Sequence, residues 1–74
     1  MRGYLKKFRL QKDKTQQYVA DCAGITRQYY QMVENGERQQ DISLGLLQKL
    51  SSALEVPLDD LIQAENQYKQ ALKN

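Results

Sequence analysis

Apolar residues recur at three- and four-residue spacing in five stretches of the chain, the period of helices that bury one face, and no stretch carries a strand signal. Residues 2–12, RGYLKKFRLQK, predict a first helix with Leu5 and Phe8 on the buried side and Arg2, Lys6, Lys7 and Lys12 outward. Two shorter helices follow, each beginning beside a threonine, Thr15 or Thr26, whose hydroxyl can accept from a free first-turn amide. Between them Gly24, without a Cβ, suits the left-handed conformation that stops one helix and turns the chain within about three residues. Val19, Ala23, Ile25, Tyr30 and Val33 then point inward, and Ala20 is small enough to let the next helix cross closely.

Asn35 and Gly36 form a second pair that tolerates a left-handed stop, and the polar loop ERQQD carries Arg38 onward. Ser43 is placed to cap a fourth helix with Leu44, Leu47, Leu50 and Leu54 along its apolar face. Gly45 falls in its first turn, where the usual cost of up to ~1 kcal/mol is reduced. Pro57 opens a fifth helix where its missing amide is harmless, and Asp59 and Asp60 favour the positive end of that helix. The tail from Ala64 to Asn74 has no Gly or Pro and extends the fifth helix. Leu61, Ala64, Tyr68, Ala71 and Leu72 form a stripe along it. The stripe either folds back onto its own domain or meets the same stripe of a second copy across a two-fold axis, and the dimer is the expectation. The predicted architecture is an all-α five-helix bundle with an extended C-terminal helix.

The third helix leaves Arg27, Gln28, Gln31 and Met32 on its outer face. Arginine forks onto guanine and glutamine onto adenine in the DNA major groove, so this face matches base-edge chemistry.

At these residues the chain resembles the helix-turn-helix family of Cro and phage repressors, the XRE family. The resemblance rests on Thr15 and Gln16, Ala20, Gly24, Ile25, Thr26 and Arg27, and Glu34, Asn35 and Gly36 at matched spacings. It extends to Leu5, Phe8 and Arg9 before these residues, and to Leu44, Leu47, Leu50, Ala53, Leu54 and the run VPLDDL at 56–61 after them. About residues 4–63 are covered. The departures are Lys14, where the family usually has a buried leucine, Tyr30, where it has Ile or Val, and a loop over 37–42 longer than in the shortest members.

The resemblance implies a lambda-repressor-like DNA-binding domain over residues 1–63, with 64–74 an extension of helix 5. Helices 2 and 3 are the helix-turn-helix. It implies base reading by Arg27 and Gln28, with Gln31 and Met32 further along the face. Gln16, Gln17, Thr26, Tyr29, Asn35 and Arg38 are expected to meet the DNA backbone, Gln16 either on a phosphate or as a brace for the reading helix. Helix N-termini suit phosphate because their free amides point outward. Arg9 and Glu34 are expected to clamp the first helix to the reading helix, a pair whose disruption in a buried setting costs roughly 3–5 kcal/mol. Unrelated surface charges are the alternative. Leu61, Ala64, Tyr68 and Leu72 are the expected dimer contacts.

With 74 residues the chain makes one domain, which buries only about 60% of the surface its unfolded chain exposes. No charged-then-apolar leader and no apolar run near the ~20 residues of a membrane span occurs, so the expected location is cytoplasmic. Cys22 is single and no histidine accompanies it, so it reads as a small side chain rather than a redox or metal group. The net charge of +2 divides unevenly: residues 1–40 carry +4 and residues 41–74 carry −2. A basic half that contains the motif fits a polyanion partner, although an ordinary solvated surface could carry the same excess. Tyr18 and Tyr29 read as half-buried supports or phosphate donors rather than stacking platforms for single strands, since Tyr30 belongs to the core series.

An enzyme is opposed by the lack of histidine, of a glycine-rich phosphate loop and of any cluster at metal-ligand spacing, so no metal or cofactor is expected. The other reading is a protein-interaction module of the same fold, antitoxin-like or cofactor-like. Arg and Gln on the outer face, in place of apolar anchors, favour double-stranded DNA. The expected function is sequence-specific transcriptional regulation, as a repressor on a two-half-site operator. Release would fall to protein level, a regulatory protein partner or proteolysis.

Overall fold

The computed structural model describes residues 1–36 and 42–73. Among them lie five helices, α1 Gly3–Gln11, α2 Gln16–Ala23, α3 Arg27–Asn35, α4 Leu44–Leu54 and α5 Leu58–Lys73, and no strand. The Thr15 hydroxyl accepts from the Tyr18 amide and the Thr26 hydroxyl from the Tyr29 amide, both at 3.0 Å. Ser43 does the same for Leu46 at 3.1 Å. Each cap has extended backbone, so its side chain folds back on the first turn and satisfies a donor the helix leaves open. Gly24 and Gly36 end α2 and α3 with φ of 72° and 75°, the left-handed region an L side chain disfavours. The Pro57 carbonyl accepts from the Asp60 and Leu61 amides, so α5 starts directly after the proline with Asp59 and Asp60 in its first turn.

Leu5, Val19, Tyr30, Val33, Leu50, Leu54 and Leu61 are fully buried and join all five helices in one core. Ala20 and Ala23, also buried, let α2 lie against both α3 and α4. Ile25 and Phe8 pack at the edge of this core, where Phe8 meets Tyr4 edge to face with ring centroids 6.4 Å apart. No described helix is long and apolar enough to cross a membrane.

Four expectations are corrected by the packing. Arg2 does not point outward but is fully buried. Leu44 is 57% exposed, and Leu46 joins Leu47, Leu50, Ala53 and Leu54 inside. At 3.6 residues per turn Leu44 lies about 120° round from the middle of that face. Tyr18 and Tyr29 are exposed rather than half-buried. Leu61 has no surface to offer a second copy, because it is part of the core of its own chain. The rest of the stripe runs outward, with Ala64 and Tyr68 half-buried and Ala71 and Leu72 exposed.

Candidate nucleic-acid interface

The chemistry of α3 is divided between two faces. Tyr30, Val33 and Glu34 are buried, whereas Arg27, Gln28, Gln31 and Asn35 are exposed and Met32 is half-buried. The exposed side presents one guanidinium and two carboxamides within five residues, beginning at the first helical position.

Beneath that face Glu34 collects four donors. Arg9 forks onto it, Nε to Oε2 at 3.1 Å and Nη2 to Oε1 at 3.2 Å. The Tyr30 hydroxyl donates to Oε2 at 2.7 Å and Gln16 Nε2 to Oε1 at 3.3 Å. Arg9 Nη1 also donates to the Lys14 carbonyl at 3.0 Å, which fixes the chain entering α2. Burial by itself would raise the Glu34 pKa, but the Arg9 fork and the Tyr30 and Gln16 donors outweigh it and hold the carboxyl below its ordinary value. Burial first, and then the hydrogen bond to Glu34, push the Tyr30 hydroxyl well above its ordinary pKa. The arrangement is charged, largely buried and paired, and it orients α3 against both α1 and α2.

The backbone of the last turn of α3, the turn that carries Glu34, is held by Arg2. Its backbone amide donates to the Glu34 carbonyl at 2.7 Å and its Nη1 to the Val33 carbonyl at 2.9 Å. The same guanidinium forks onto Glu65 of α5, Nε to Oε1 at 2.9 Å and Nη2 to Oε2 at 3.1 Å. Tyr4 donates to Glu65 Oε1 at 2.5 Å, and the Tyr68 ring lies 4.8 Å from the guanidinium carbon.

A helix-turn-helix family model matches residues 5–61, which contain α2, the three-residue turn and α3. The chain belongs to the XRE-type helix-turn-helix family. Its five helices form the lambda-repressor-like bundle of that family. Over 65 residues, 88% of this chain and 54% of the relative, it is 45% identical to the uncharacterized HTH-type transcriptional regulator YqaE of Bacillus subtilis (strain 168). Over 42 residues, 57% of this chain and 55% of the relative, it is 52% identical to the uncharacterized HTH-type transcriptional regulator YqaF of the same organism. The chain spans about half the length of the curated relatives it matches. The helix-turn-helix family is one of regulators, not of enzymes.

Within this helix-turn-helix the residues expected at the DNA backbone are distributed as follows. Gln16 is half-buried and braces Glu34. Gln17 is exposed and donates to Asp21 one turn on, at 2.8 Å. The hydroxyl of Thr26, an exposed residue, accepts from the Tyr29 amide and keeps its own proton to donate, and Tyr29 and Asn35 stand exposed on α3. Arg38 lies outside the described residues.

Three further residues shape the site and are weakly signalled in sequence. Arg2 stands three and seven residues before Leu5 and Arg9, on their side of the helix, a spacing that could have marked it as inward. Glu65 falls between Leu61 and Tyr68 in the stripe of α5 and carries the same signal. Lys14 takes the place of an apolar plug by a different route: its Nζ donates to the Ala53 carbonyl at 3.1 Å and to Glu55 Oε2 at 2.8 Å, and it lies 4.9 Å from the Tyr18 ring centroid.

Proposed function

We propose that this helix-turn-helix protein binds double-stranded DNA sequence-specifically and regulates transcription as a repressor that occludes a promoter. The observation that carries the reading is the two-sidedness of α3: Arg27, Gln28 and Gln31 face solvent while Glu34, Tyr30 and Val33 anchor the opposite side. A helix so fixed can enter a major groove with its donors and acceptors already oriented, which lowers the entropic cost of base reading. Arg27 and Gln28 read base edges, with Gln31 and Met32 further along. Gln16, Gln17, Thr26, Tyr29, Asn35 and Arg38 meet the backbone. The names of the two Bacillus relatives, both HTH-type transcriptional regulators, support regulation as the role.

The protein acts as a cytoplasmic homodimer in this reading. Two copies that hold their Arg27-bearing helices about 34–36 Å apart meet two half-sites one DNA turn apart. Of the expected contacts, Ala64, Tyr68 and Leu72 of α5 keep surface for that contact beside the 1–63 domain, and Leu72 is 56% exposed. The test is selection of duplexes from a random library, followed by titration of the enriched sequence against a scrambled one. Enrichment of a two-fold motif with affinity at least about 10³ above the scrambled duplex is expected. Equal affinity for both duplexes would reject sequence-specific reading.

A further inference from the structure

Arg9 holds the last turn of α3 through the Glu34 side chain, and a second charged assembly closes on the backbone carbonyls of that same turn. The last turn of any helix leaves carbonyls without intrahelical partners, and the aligned peptide dipoles make that end favour a cation. In α3 the cation is Arg2, which reaches the Val33 carbonyl with its guanidinium and the Glu34 carbonyl with its backbone amide. The remaining edge of the guanidinium is occupied by Glu65, sixty-three positions away in α5. Tyr68, one turn further along α5, lies beside the guanidinium and sets its hydroxyl against Gly36, so closely that a Cβ there would overlap it. The left-handed glycine that stops α3 is thus also the point where α5 touches it.

We propose that Arg2 and Glu65 are positioning residues for the DNA-reading helix, so that α5 beyond residue 63 sets the aim of Gln31 and Met32 on the groove. The inference rests on the DNA-binding reading of α3. Its physical basis is the dual use of one buried guanidinium: the planar fork that satisfies Glu65 fixes the direction in which Nη1 points, and Nη1 holds the carbonyl end of α3. Gln31 and Met32 lie in the two positions before Val33, so a shift of that carbonyl moves them directly. Arg27, at the far end, is held independently by the Thr26 cap.

The test separates aim from stability. Arg2→Met, Tyr4→Phe and Glu65→Leu together replace the charged assembly by apolar side chains, an exchange that often leaves stability unchanged or raised. The Val33 carbonyl then loses its side-chain donor. Melting temperature, amide hydrogen exchange of Met32 to Gly36 against that of α2 and α4, and affinity for the selected and scrambled duplexes are measured on the full chain. We expect an unchanged melting temperature, exchange faster by about tenfold confined to the end of α3, and specific affinity lower by about tenfold with scrambled-duplex affinity unchanged. Unchanged specific affinity, an equal loss on both duplexes, or unchanged exchange would overturn the proposal.

Should the triple variant fail to fold, Arg2→Lys serves instead. It keeps the charge opposite Glu65 but cannot fork onto Glu65 and reach Val33 together, and the same local changes are expected. A wild type with no preference among duplexes would remove the DNA reading of α3. In that case exchange alone decides whether α5 holds α3, with faster exchange supporting the hold and unchanged exchange ending it.

Discussion

Arg9 and Glu34, twenty-five positions apart, meet side-on through two hydrogen bonds in the buried angle between α1 and α3. Because the Tyr30 hydroxyl and Gln16 also donate to Glu34, its removal strands a guanidinium and leaves two polar groups short of a partner. Glu34→Ala is expected to lower the unfolding free energy by about 3–5 kcal/mol in urea titration. A loss under about 1 kcal/mol would mean the pair behaves as a solvent-screened surface pair.

The same pair makes stability depend on acid. Glu34 has a folded pKa below its ordinary value of 4.5, so in the interval between the two the unfolded chain takes up the proton first. Its contribution is complete above 4.5 and is lost as pH falls through the folded value. Melting curves of wild type and Glu34→Gln are expected to keep a constant separation above that pH and to converge below it. Tyr30 acts in the opposite sense: its raised pKa contributes stability below 10.0 that is lost as pH rises through the folded value.

Arg27 is exposed at the first position of α3, where the Thr26 cap fixes the backbone and leaves the side chain free to reach outward. Arg27→Ala is expected to cost about 1–3 kcal/mol on the selected duplex and little on the scrambled one. Equal losses on both would reassign Arg27 to phosphate.

Arg38 belongs to the backbone-binding set of the proposed complex. Arg38→Ala should weaken binding to every sequence and flatten the slope of log affinity against log salt by about one for each phosphate that Arg38 neutralises. An unchanged slope would place Arg38 away from the phosphates.

On α5 two neighbours of the stripe are expected to behave differently. Tyr68→Ala uncovers the Arg2 guanidinium and should lower the melting temperature by about 4–8 °C for each kcal/mol of stability removed, in monomer and dimer alike. Leu72→Ala, at an exposed site, should leave the melting of a dilute monomer unchanged and shift sedimentation from dimer toward monomer at micromolar concentration. A wild type that sediments as a monomer both free and on a two-half-site duplex would end the dimer reading.

What the sequence determined by itself is the set of features settled within a few residues. Thr15, Thr26 and Ser43 each close a hydrogen bond to an amide three positions on, and Gly24 and Gly36 each adopt a left-handed backbone that a missing Cβ permits. The spacing of Val19, Tyr30, Val33, Leu50 and Leu54 likewise marks the inner faces, because one helical period decides them. The Arg9 and Glu34 pair was legible through family resemblance, since nothing local joins them. Tertiary structure alone decided that Arg2 is buried, that Glu65 meets it, that Lys14 turns to Glu55 and Ala53, and that Leu44 yields its place to Leu46. A charged side chain at a helix end is stable in water or in a paired interior, and which of these it meets depends on the distant elements that close over it. For Arg2 those elements are the last turn of α3 and the middle of α5, which only the folded chain brings together.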